Sequence, residues 1–124
     1  MHGSIFRFEG QVTVFDPNQG PTYRDLLPVP PSAEQAPNCA VAGVLGVLPG
    51  IVGSIQAVEA IKVLLGLGNP LIGRLLIFDA LDMEFSEYAL GKNPDNPVTY
   101  ERRDEITIVD LEGLCAPVMS SSGA

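Results

Sequence analysis

The sequence predicts a mixed α/β domain with largely antiparallel strands and one long buried glycine-rich helix. Three patterns carry the prediction. From Ser4 to Phe15 apolar and polar residues alternate, as in a half-buried strand. A run without any charge from Ala36 to Val58 passes into Gln56, Glu59 and Lys62, a polar stripe at helical spacing. Two further strand-like runs, Arg74 to Asp79 and Met83 to Leu90, are joined through Ala80, Leu81 and Asp82, close enough for an antiparallel hairpin.

In the first run Phe6, Phe8, Val12 and Val14 fall on one face and Arg7, Glu9, Gln11 and Thr13 on the other, with Gly10 at the place of a bulge. Arg7 and Glu9 read as exposed strand residues. Asp16 to Pro37 carries six prolines with Asn18 and Gly20, and proline removes a backbone donor and fixes φ, so the segment reads as a long, mostly irregular loop. Loops of that length are usually functional. The helix that follows has its core from about Gly50 to Leu67. Gly66, Gly68, Asn69 and Pro70 form its stop signal. Glycines 43, 46, 50 and 53 recur at intervals of three and four. Two readings fit them equally: a face for close approach of a sheet or a second subunit, or loop turns ahead of a shorter helix. Asp79 and Asp82 read as turn residues, and Glu59 with Lys62 as a solvated or interfacial helix pair. Glu105 to Cys115 fits a strand or a short helix, and Met119 to Ala124 reads as a frayed end.

At 124 residues the chain fits one small domain. Apolar residues make up 46% and charged residues 18%, which argues against disorder over most of the length. Fifteen acidic against seven basic side chains give a net charge of -8, which disfavours nucleic acid and anionic membrane surfaces as partners. The uncharged run is long enough for a membrane span, but Pro49 and the glycines interrupt it and the polar stripe follows, so a soluble helix is expected. Two cysteines, Cys39 and Cys115, and one histidine, His2, suggest a reduced, cytoplasmic setting without a disulfide framework or a zinc site.

No glycine-rich phosphate loop stands between a strand and a helix, so a self-contained nucleotide site is not expected and no cofactor-binding residue is assigned. A serine–histidine mechanism has no support with the lone histidine at position 2. Cys39 sits in Asn38-Cys39-Ala40, after the long loop and before the apolar run. By spacing alone it reads as a buried structural thiol. A helix beginning nearby would favour its thiolate.

The run Arg7-Phe8-Glu9-Gly10-Gln11-Val12-Thr13-Val14-Phe15, then Pro21-Thr22-Tyr23-Arg24-Asp25-Leu26, Asn38-Cys39-Ala40 and Ala42-Gly43-Val44-Leu45-Gly46 resembles the second half of the ThiF/MoeB/HesA family. So do Gly53-Ser54-Ile55-Gln56-Ala57-Val58-Glu59-Ala60-Ile61-Lys62, Gly73-Arg74-Leu75-Leu76 and Phe78-Asp79-Ala80-Leu81. Several motifs in order, from about residue 3 to about residue 100, are far more specific than a lone short pattern. The resemblance, nearest to the MoeZ-like branch, implies the carboxyl-terminal half of a Rossmann-like ThiF fold at residues 1–104, with 105–124 as tail or linker remnant.

It also implies an activity: ATP-dependent adenylation of the terminal Gly-Gly carboxylate of a ubiquitin-like sulfur-carrier protein, for sulfur transfer in molybdopterin, thiamine or related pathways. A carboxylate is a poor acyl donor until AMP is its leaving group. In members with a cysteine nucleophile the thiol lies in the motif that here reads Asn38-Cys39-Ala40, which makes Cys39 the candidate catalytic residue, as thioester or persulfide. Some relatives do not require that thiol.

Two departures alter the expectation. Where many relatives carry two Cys-x-x-Cys pairs for zinc, the matching positions here are Thr22, Asp25, Asn96 and Thr99, so neither zinc nor any other metal is expected. The loop after Asp16 is then held by packing and hydrogen bonds. The residues that hold ATP and magnesium in the family belong to a first half absent here, so the chain alone is expected to be inactive. Its partners would be a carrier with a Gly-Gly tail and either a second copy or a complementing nucleotide-binding half. The alternative is a non-catalytic carrier-binding or dimerisation module. The stretch Ile108 to Cys115 resembles a lead-in to an appended rhodanese domain, which leaves Cys115 as a tail residue.

Overall fold

The computed structural model describes residues 1–32, 34–35 and 39–108, with Cys39 described in its backbone alone. Four strands, β1 (His2–Phe6), β2 (Glu9–Thr13), β3 (Arg74–Asp79) and β4 (Glu84–Ala89), form one antiparallel sheet in the order β1-β2-β3-β4. Between β2 and β3 lie two single-turn helices, α1 (Tyr23–Leu26) and α2 (Cys39–Ala42), and the long α3 (Leu48–Leu65). A 3-10 turn follows β4 at Arg103–Glu105. This is the mixed α/β, largely antiparallel architecture that the sequence predicts.

The single strand expected from Ser4 to Phe15 is instead a hairpin. The chain reverses at Arg7 and Phe8, pairing Phe6 with Glu9 and His2 with Thr13. Arg7 takes φ +54, a left-handed conformation rare for a side chain of its size. Neither glycine nor asparagine marks the turn, which is why alternation alone ran through it. Tertiary hydrogen bonds hold it: the Arg7 carbonyl accepts from Leu45 N–H at 2.9 Å and the Phe8 carbonyl from Ala80 N–H at 2.9 Å. The second hairpin forms as expected. The Asp79 carboxylate accepts from Leu81 N–H at 2.9 Å and Asp82 N–H at 3.3 Å, so its polar side chain closes the turn.

α3 starts two residues earlier than expected, with Pro49 in its first turn, where the missing N–H costs nothing. Gly66 ends it in the left-handed conformation at φ +64. Its inner side joins the sheet: Val52 packs with Val12, Val14 and Leu71, and Ile5, Ile55, Ile72 and Leu76 surround them. The close approach comes from glycines in the sheet rather than in the helix. A Cβ on Gly10 would strike Val52, and one on Gly3 would strike Gln56, whereas Gly43, Gly46, Gly50 and Gly53 have nothing near their Cβ positions. Gly10→Val is therefore expected to cost about 1–3 kcal/mol by pushing α3 off the sheet, read as a fall in the urea midpoint.

Burial of α3 is one-sided. Leu48, Val52 and Glu59 are buried, while Val58, Ile61, Leu64 and Leu65, spaced three and four apart, stay half or more exposed, Leu64 at 82%. By length and composition α3 is apolar enough to cross a membrane, but here it forms one wall of the sheet's core.

Glu59 is only 4% exposed, so of the two readings of its pair with Lys62 the interfacial one holds. It pairs with Lys62, one turn on, and its second oxygen accepts the buried Leu71 N–H at 2.8 Å. The Leu71 carbonyl in turn accepts Val14 N–H at 3.0 Å and lies 3.0 Å from the Thr13 hydroxyl, which is also 2.7 Å from the Arg74 carbonyl. Leu71 thus ties α3, the end of β2 and the start of β3 at one point.

Candidate functional site

The left-handed turn at Arg7 brings the β1–β2 hairpin against the chain between α2 and α3, where Arg7 and Val44 form an isolated parallel bridge. A cavity of about 320 Å³ opens there, lined by Arg7, Phe8 and residues 42–46. The Arg7 guanidinium lies 5.1 Å from the Phe6 ring centre, a cation–π contact at the edge of this region. Gly43 leaves α2 at φ +72, which only glycine adopts without strain, and neither Gly43 nor Gly46 would direct a Cβ against another atom. At these two positions the cavity wall is backbone without a side chain.

Cys39 occupies the first position of α2, four residues before Gly43. A helix does begin at this residue, yet α2 has only four residues, so the field at its amino terminus is slight. Asn38 of the same motif and Cys115 lie outside the described residues. Arg7, read from the sequence as an exposed strand residue, is exposed as expected but sits in the β1–β2 turn, where it lines the cavity.

Three of the four positions that match the zinc-bearing pairs of relatives come together. Thr22 N–H donates to Asp25 at 2.7 Å, a capping-box arrangement over α1, and the Asn96 amide donates to the Thr22 hydroxyl at 3.0 Å. Thr99 stands apart, its hydroxyl accepting Arg102 N–H at 3.3 Å. Burial raises the Asp25 pKa, but hydrogen bonds from the Asn93 and Thr22 backbone and from the Asn96 and Thr22 side chains outweigh it and hold the carboxyl below its ordinary value. A hydroxyl, an amide and one carboxylate already engaged with each other do not fit zinc, which takes thiolate and imidazole. Among the described residues no three of His, Cys, Asp and Glu gather where a metal ion would sit.

Nor do the residues fit a nucleotide phosphate. Among the described residues, the one long helix begins at Leu48 and Pro49 behind an uncharged turn, with no strand running into it through a glycine-rich loop.

Comparison with known proteins agrees with this architecture. The model of the ThiF family matches residues 1–98. The chain is 47% identical over 118 residues to the sulfur carrier protein adenylyltransferase of Thermus thermophilus, covering 91% of this chain and 44% of that protein. It is 50% identical over 117 residues to the SAMP-activating enzyme E1 of Haloferax volcanii, covering 94% and 43%. With the probable adenylyltransferase/sulfurtransferase MoeZ of Mycobacterium tuberculosis it shares 42% identity over 120 residues, covering 94% and 29%. The chain thus spans less than half the length of these curated relatives. With a family match over most of its length and the fold to go with it, the chain belongs to the ThiF family.

Proposed function

We propose that this chain supplies the carrier-binding half of an adenylyltransferase/sulfurtransferase acting on a ubiquitin-like sulfur-carrier protein with a Gly-Gly tail. The observation that carries the reading is the cavity between the Arg7 turn and the glycine-bordered segment after α2, which begins four residues beyond Cys39. A Gly-Gly tail has no side chains and suits a wall that holds two glycines, while the Arg7 guanidinium supplies the positive charge for a terminal carboxylate. The names of the relatives, all adenylyltransferases or activating enzymes, support the reaction class.

In this reading ATP and magnesium are handled by residues outside this set, in a complementing nucleotide-binding half or a second copy, and the enzyme works in the cytoplasm. The uncharged outer face of α3, with Ile61, Leu64 and Leu65, gives such a partner an apolar surface to cover. The Cys39 thiolate attacks the carrier's acyl adenylate, forming a thioester and releasing AMP, or takes the outer sulfur of a persulfide donor, whose thiol is released.

The test is capture of a purified carrier ending in Gly-Gly by the immobilised chain. Capture that is lost when the carrier's last two residues are removed supports the tail site. No capture, or capture indifferent to the tail, counts against it. A second reading is favoured by the absence of any phosphate cradle among the described residues: a non-catalytic module that binds the carrier or a second copy. It predicts capture that is the same in Cys39→Ala and never covalent.

A further inference from the structure

α1 presents a puzzle of support. It is four residues long and buries no side chain. A single turn is far too short to persist on helical propensity. The chain before it is anchored, with Gly20 and Pro21 buried, whereas Pro28 and Val29 after it are exposed, Val29 at 74%. Tyr23 contributes a ring contact with His2 and Phe15, at centroid distances of 5.4 and 5.9 Å. The remaining support is polar and comes from the far end of the chain.

Asp25 accepts the Asn93 N–H at 2.8 Å with one oxygen and the Thr22 N–H at 2.7 Å with the other. The Thr22 hydroxyl donates to the Val98 carbonyl at 2.9 Å and accepts from the Asn96 amide at 3.0 Å. Asn96, only 4% exposed, uses its side-chain oxygen to accept Val98 N–H at 2.8 Å. Each group has a partner, so the cluster is a closed network rather than scattered surface contacts.

We propose that Thr22, Asp25, Asn93 and Asn96 form a latch that fastens α1 onto the chain beyond β4, and that the latch opens as a unit while the sheet stays folded. The separation follows from where the free energy lies. The sheet and α3 are held by the apolar core around Val12 and Val52, whereas the latch has hydrogen bonds and little apolar burial, which is the composition of a low-stability cooperative unit. Opening frees α1 and the chain at Pro21 from the residues beyond β4.

The experiment compares wild type, Asp25→Asn and Asn96→Ala by amide hydrogen exchange and limited trypsin digestion of the full chain. Both variants should exchange the Thr22, Asn93 and Val98 amides about tenfold faster or more. Protection at Val12 and Ile77 in the sheet should not change. Trypsin should cut faster after Arg24 and Lys92, the sites beside the latch, and no faster after Lys62 and Arg74. Unchanged latch amides would overturn the proposal. So would a rise in exchange and cleavage by the same factor at every site, since the cluster would then be one more part of the global fold.

Discussion

Glu59→Ala is expected to be the most damaging single substitution in the core, lowering stability by about 2–4 kcal/mol. Loss of the carboxylate leaves Lys62 without its partner and the buried Leu71 N–H without an acceptor. Because the Leu71 carbonyl also receives Val14 and lies beside the Thr13 hydroxyl, disturbance at this residue spreads to β2 and β3. For a domain of this size such a loss is a fall in Tm of about 10–20 °C. Glu59→Gln separates the contributions, because its amide oxygen still accepts the Leu71 N–H and only the charge is lost. That variant should lose less than half as much, by thermal unfolding followed with circular dichroism. Equal losses in both would show that the ion pair with Lys62, rather than the bond to Leu71, is what matters.

The second large effect concerns chemistry. With a complementing nucleotide half, ATP and carrier present, Cys39→Ala should abolish the covalent carrier adduct, because a methyl group cannot replace a thiolate nucleophile. Cys115→Ala should leave the adduct at the wild-type level, and non-covalent capture of the carrier should survive in both. Intact mass spectrometry under non-reducing conditions reads the two adducts, and pull-down of the carrier reads the capture. An adduct that persists in Cys39→Ala would move the sulfur-carrying role elsewhere, and one that vanishes in Cys115→Ala would place it in the tail.

The parts legible in the sequence are those whose signals are local. The β3–β4 hairpin was marked by Asp79 and Asp82 around a short connection, and the end of α3 by Gly66. What the sequence hid depends on contacts made far along the chain. Arg7 turns the first hairpin because Leu45 and Ala80 pay back its strain with hydrogen bonds, and neither residue is near it in sequence. The glycines that admit α3 are Gly3 and Gly10, single residues without periodicity, while the conspicuous series at 43, 46, 50 and 53 faces open space. Glu59 and Lys62 look alike as a surface pair or a buried one, since spacing says nothing about burial. The latch did leave a trace, Thr22-x-x-Asp25, the pattern of a helix start, but its partners lie some seventy residues away. Of the candidate site, Cys39 came from family resemblance, and the cavity emerged only when the hairpin turn was placed against residues 42–46.

The most direct test of the carrier-activating reading is ATP–pyrophosphate exchange. The chain is mixed with a separately made nucleotide-binding half from a ThiF-family relative and a carrier ending in Gly-Gly. Exchange that needs all three components, and that disappears when the carrier's Gly-Gly is removed, is the predicted result. Exchange by the relative's half and carrier at the same rate without this chain, or none in any pairing that forms a stable complex, would contradict it.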